Sequence, residues 1–174
     1  MKGISQIGNL LNPENIHVFF NAPFKMDVGF GTEGFRWFEF PSNEDEFKFS
    51  QQAISQTIFE ILNDIKFNIK GIFIGGFSQG GMMTLHNNYN EKVDGLIILG
   101  SQLFYENKEF NLKKKTKIFM SHGTYDQVIP IMGSTQTLNF LRKKGFSVDY
   151  KEYPIGHEIS LDQINDLNNW IDKI

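Results

Sequence analysis

Short apolar runs alternate along this chain with stretches of helical periodicity. That alternation restricts the fold most, because strands joined by crossover helices pair side by side in a mostly parallel sheet. Runs at residues 16–20, 69–74, 95–99, 117–121 and 147–153 predict strands. Between the first two, Ser42 precedes an acidic turn, and Ala53, Ile54, Ile58, Ile61, Leu62 and Ile65 then recur at three- and four-residue steps, the pattern of an amphipathic helix. A second helix is expected to begin near residues 80–83, directly after a glycine-rich turn. A third runs from about 131 to 144, with basic residues in its last turn and Gly145 placed to end it. The last spans about 161 to 173, where Ser160 and Gln163 fit a capping box. Residues 21–41 and 101–116 read as long connections, a length that in compact domains tends to carry function.

At 174 residues the expected organisation is one α/β domain over residues 1–174. Its 40% apolar content, including 18 Phe, supplies a sizeable core. The sequence has 0 Cys, so disulfides, thiolate nucleophiles and thiolate metal sites are excluded and covalent catalysis must use oxygen or nitrogen. A net charge of −3 gives no general attraction to a phosphate backbone, and nucleic acid is not an expected partner. The run Lys113, Lys114, Lys115 and Lys117 reads as a solvated loop. No signal-like segment and no apolar run of the ~18 residues a membrane span needs are present, so a cytoplasmic setting is expected.

Gly76-Phe77-Ser78-Gln79-Gly80 satisfies G-x-S-x-G between an apolar run and a helical segment, the strand–turn–helix context of a nucleophile elbow. Side chains at Gly76 or Gly80 are expected to collide where strand and helix approach. The turn would lift the Ser78 hydroxyl above the sheet and aim the Gln79 amide at an incoming carbonyl oxygen. Serine is a weak nucleophile at its own pKa, so this reading requires a histidine within reach and a carboxylate to hold that histidine's tautomer. His157, on the loop after the last strand, and Asp126, after the strand before it, stand at the carboxyl ends of their strands. The chain order Ser, Asp, His is that of α/β hydrolases. Of the other histidines, His17 reads as a strand residue, His86 as packing or solvent-facing, and His122 as positioning the acid loop. A zinc site of His122, Asp126 and His157 lacks ligand spacing to support it.

The segments GGFSQGG, HGTYDQVIP and YPIGHEI, with NAPF at residues 21–24 and Arg36-Trp37-Phe38, resemble the phospholipase/carboxylesterase family of small α/β hydrolases, which includes the acyl-protein thioesterases. The resemblance implies Ser78 as nucleophile, His157 as general base and then acid, and Asp126 as the orienting carboxylate. It further implies hydrolysis of acyl esters or thioesters, small-molecule or lipidated, through an acyl-enzyme, with neither metal nor organic cofactor. Trp37, Leu103 and Phe104 either line a hydrophobic acyl groove beside the elbow or pack in the core. Relatives carry, ahead of the region matched here, a strand ending in His-Gly-x-Gly that supplies a second oxyanion amide, and residues 1–15 do not match it. Two arrangements follow: an N-terminally truncated α/β-hydrolase fold, which is the expected one, or a sheet closed by moving residues 16–20 next to residues 69–74. The alternative function is a catalytically impaired remnant that binds acyl ligands or a protein.

Overall fold

The computed structural model describes residues 4–29, 31–40, 43–66, 68–87, 89, 93–104 and 115–174. A 3-10 helix (Ile4–Leu10) leads through an extended stretch into an antiparallel hairpin, β1 (Phe24–Asp27) and β2 (Glu33–Arg36). There follow α1 (Glu44–Asp64), β3 (Phe73–Phe77), α2 (Gln79–His86), β4 (Gly95–Leu99), β5 (Lys117–Gly123), α3 (Ile131–Lys143), β6 (Val148–Tyr153) and α4 (Leu161–Ile171). Strands β3, β4, β5 and β6 form a four-stranded parallel sheet in that order. This is the α/β architecture expected, a parallel sheet flanked by helices.

The two inner strands are apolar on both faces, as a sheet covered on each side requires. Leu96, Ile98, Ile118 and Met120 face a core completed by Phe47, Ile54 and Ile58 of α1, Met82, Met83 and Leu85 of α2, and Leu138 and Leu141 of α3. Leu99 and Phe119, one step along the pleat, pack instead with Leu167 and Trp170 of α4. Three helices therefore cover one face and α4 the other. Asn12 and the Leu10 carbonyl hydrogen-bond to Asn168 and hold the 3-10 helix against α4.

The helix ends follow their chemistry. The Ser160 hydroxyl accepts from Gln163 N while the Gln163 side chain accepts from Ser160 N, the expected capping box. Gln163 then donates to Ser121 Oγ at 2.8 Å, which docks the start of α4 on the end of β5. Gly145 has φ +88° and closes α3, with Phe146 N bonded to Leu141 O and Gly145 N to Arg142 O.

Two expectations need correction. Among the described residues, residues 16–20 join no strand: Ile16 is 67% exposed and Val18 52%, and His17 bonds the nearby Asn12 carbonyl. Their apolar character suits a strand, but a strand exists only where a neighbour meets its edge, and among the described residues no partner row lies alongside. The sheet is not closed by these residues, and β3 stands at its edge. The strand expected at residues 69–74 is Phe73–Phe77, so Gly76 of the motif lies inside it while Gly80 falls in the first turn of α2. The cap of α1 is Asn43, which accepts from Glu46 N at 3.2 Å; Ser42 lies outside the described residues, as do Lys113 and Lys114 and most of the 101–116 connection. Among the described residues no helix is long and apolar enough to cross a membrane.

Candidate active site

The end of β3 runs without a spacer into α2, and Ser78 occupies the joint with φ 56° and ψ −123°. It is the only non-glycine among the described residues with positive φ, and strain of this kind persists only where its surroundings over-determine it. Those surroundings are specific. Ser78 N donates to Leu99 O, while Ser78 O accepts from Gly81 N, Met82 N and the Ser101 hydroxyl at 2.8 Å. A Cβ on Gly76 would lie 2.1 Å from the Gly80 carbonyl carbon, and one on Gly81 would lie 2.5 Å from Ser101 Cβ. Gly80, expected to be equally constrained, has only Trp37 Nε1 at 3.7 Å. The close approach is therefore between Gly76 and the backbone of α2, and between Gly81 and Ser101 beyond β4.

Asp126 and His157 sit on loops beyond β5 and β6, which pair in parallel and so deliver both loops to the same sheet edge as Ser78. His157 Nε2 lies 2.9 Å from Ser78 Oγ and His157 Nδ1 lies 2.7 Å from Asp126 Oδ2. The two loops are bolted together: Thr124 N donates to Tyr153 O, Tyr125 N to Ile155 O, and a Cβ on Gly123 would meet the Ile155 and Gly156 oxygens at 2.4 Å. The Phe77 ring lies 4.6 Å from that of His157 at 36° and limits its tilt.

The Asp126 side chain is fully buried. Burial raises its pKa, but the His157 hydrogen bond, the Ile129 and Val128 amides on Oδ1 and the His157 charge outweigh that and hold it below the usual carboxylate value. An ionised Asp126 only accepts, so its partner nitrogen Nδ1 carries the imidazole proton and Nε2 presents a lone pair to the Ser78 hydroxyl. His122 also reaches this carboxylate, Nε2 to Oδ2 at 3.4 Å. Of the three residues weighed as a zinc site, Asp126 thus faces both histidines. Among the described residues no group of three or more metal-ligating side chains is arranged to hold an ion.

Gln79 contributes twice. Its amide is the first of α2, one of the N–H groups a helix start leaves without an internal partner. Its side chain accepts from Trp37 N and donates to Phe38 O, both at 3.0 Å, and so ties the elbow to the segment after β2. Leu103 and Phe104 follow Ser101; Leu103 N donates to Thr137 Oγ1 at 2.7 Å and Phe104 N to His86 Nε2 at 3.1 Å. His86, read as packing or solvent-facing, is thus a buried acceptor for this wall. The Phe104 ring lies 4.8 Å from Phe38 and 5.1 Å from Phe40. Trp37, Leu103 and Phe104 are half-buried and rest on the main core, so each is both a core residue and part of a partly exposed wall.

Ser101 and the Gln79 side chain escape sequence reading, because their contacts join positions 23 and 41–42 residues apart. The one available signal for Ser101 is its place at the tip of the strand parallel to β3.

Residues 8–174 match the model of the phospholipase/carboxylesterase family. The chain is 33% identical over 141 residues to a Neurospora crassa protein named acyl-protein thioesterase 1, covering 74% of this chain and 57% of that protein. It is 27% identical over 174 residues to the Arabidopsis thaliana carboxylesterase SOBER1, covering 90% and 75%. The crystal structure of SOBER1 superposes with a TM-score of 0.75 over 90% of this chain and 82% of that one, at 26% identity. A Bacillus cereus carboxylesterase, at 17% identity and a TM-score of 0.70, shares the fold. A serine on a strained strand–helix turn, facing a buried aspartate from the loop after β5 and a histidine from the loop after β6, occurs here within a family match over nearly the whole chain: the protein belongs to the phospholipase/carboxylesterase family of α/β hydrolases.

Proposed function

We propose that this chain is a serine hydrolase that cleaves carboxylic esters or thioesters bearing an apolar acyl group through an acyl-Ser78 intermediate. The observation that carries this reading is the unbroken path from Ser78 Oγ through His157 to Asp126, at 2.9 and 2.7 Å. The names of the relatives, thioesterase and carboxylesterase, support the same bond class.

Ser78 Oγ attacks the acyl carbon as its proton passes to His157 Nε2, and the imidazolium that forms is stabilised by Asp126. The carbonyl oxygen gains negative charge beside the Gln79 amide, where the start of α2 favours it. Collapse expels the alcohol or thiol, which takes the proton from His157. Water then repeats the sequence with His157 as base, and the carboxylic acid leaves. Trp37, Leu103 and Phe104, with Phe40 beside them, give the acyl chain an apolar surface next to the elbow.

A fluorophosphonate probe tests the assignment. It should label Ser78 in a single adduct, and Ser78→Ala should abolish both labelling and p-nitrophenyl ester hydrolysis; a folded protein that takes no probe, or takes it elsewhere, removes Ser78 as nucleophile.

A further inference from the structure

His122 is fully buried at the end of β5 and takes no part in the proton path just described. Its Nδ1 has no hydrogen-bond partner among the described residues. Leaving a buried imidazole nitrogen unpaired is costly, and an apolar ring would fill the same space without that cost. What the imidazole supplies must lie at its other nitrogen. Nε2 faces two acceptors, Ile129 O at 2.8 Å and Asp126 Oδ2 at 3.4 Å, so Nε2 carries the proton. Ile129 is thereby gripped at both ends: its carbonyl by His122, and its amide by Asp126 Oδ1 at 2.8 Å. The Val128 amide binds the same Oδ1 at 2.9 Å. Once Oδ1 is fixed by this turn, only one rotation of the carboxylate leaves Oδ2 pointing at His157.

We infer that His122 is a positioning residue: its Nε2–H closes the turn at residues 126–129 and so fixes the rotation at which Asp126 Oδ2 meets His157. It touches no reacting atom and acts through Asp126. The inference rests on the proposed roles of Ser78, Asp126 and His157, and its test separates the two.

His122→Phe keeps the buried ring and removes the donor, whereas His122→Gln places an amide N–H near the Nε2 position. For p-nitrophenyl ester hydrolysis, His122→Phe should lower kcat on the order of 10- to 100-fold with KM within about twofold, the scale of a small displacement at a catalytic group. His122→Gln should recover most of that loss. In an Asp126→Asn background the same His122→Phe change should cost less than about twofold further, because the residue it acts through is already disabled. A signature independent of turnover is the strongly downfield proton resonance of His157 Nδ1–H, which should be lost in His122→Phe and kept in His122→Gln. If His122→Phe does not fold, His122→Asn, too short to reach Ile129 O, takes its place in every comparison. Wild-type kcat and an unchanged resonance in the folded variant overturn the inference, as does an equal loss in the Asp126→Asn background. Should the wild-type protein hydrolyse no ester at all, the hydrolase reading fails while the resonance still decides the role of His122.

Discussion

The Ser101 hydroxyl donates to the carbonyl oxygen of Ser78 at 2.8 Å, so the residue just beyond β4 braces the strained residue just beyond β3. Ser101 is fully buried, so its end of the brace is shielded from water. Ser101→Ala should therefore reduce unfolding stability by about 1 kcal/mol, the usual net worth of one such bond. It should also slow ester hydrolysis several-fold through kcat, as Ser78 relaxes. Urea unfolding and steady-state kinetics on the same preparation check both.

The glycines of the elbow should separate sharply on substitution. Gly76→Ala forces a Cβ to 2.1 Å from the backbone of α2 and should destabilise by about 3 kcal/mol or more, whereas at Gly80 the nearest atom is an ordinary 3.7 Å contact. Gly80→Ala should fold with stability within about 1 kcal/mol of wild type. Urea midpoints for the two variants test the contrast, and equal losses would refute it.

Asp126 should make stability depend on acid. Its pKa is lower in the folded protein than the ordinary carboxylate value, because the His157 and backbone hydrogen bonds outweigh burial. Its contribution is then complete above the unfolded-state pKa and fades as pH falls through the folded one. Wild type should exceed Asp126→Asn in stability at pH 7, with the gap narrowing steadily as pH falls through the carboxylate range and below. A gap that widens would mean the sign is wrong. At pH 7 the same substitution should lower kcat by about 10³–10⁴-fold, since the asparagine amide favours the wrong imidazole tautomer.

Gln79→Ala keeps the backbone amide proposed to face the acyl oxygen and removes only the two side-chain bonds to Trp37 and Phe38. It should raise KM for a long-chain p-nitrophenyl ester about tenfold, a loss of one to two bonds' worth of anchoring, with kcat for the acetate ester within about threefold. A large fall in kcat with constant KM would place the side chain in the chemistry instead.

Much of this arrangement can be read from residue order. The residues proposed as nucleophile, acid and base follow β3, β5 and β6 of one parallel sheet, and strands that all run the same way put their ends on one rim. Gly145 and the Ser160–Gln163 box are local signals, and both helix ends lie where they indicate. Residues 16–20 show the limit. An apolar run reports what a segment tolerates, but pairing depends on an edge supplied by a different part of the chain. Gly81 rather than Gly80 is the crowded glycine for a similar reason, since its neighbour Ser101 comes from the tip of another strand. His122 lies between these cases: its place before Gly123 suggests a supporting role, but only the fold reveals that its unpaired Nδ1 is the cost of a useful Nε2.

The tethers of the aromatic wall have one property in common. Gln79 grips Trp37 N and Phe38 O, Thr137 grips Leu103 N, and His86 grips Phe104 N, all of them main-chain groups. None depends on which side chain stands at those positions. On the proposed function, the lining can thus be rewritten, residue by residue, in a laboratory selection or over evolutionary time, to accept longer, shorter or bulkier acyl groups, while the loops that carry it stay moored and the hydrogen bonds joining Ser78, His157 and Asp126 are left undisturbed.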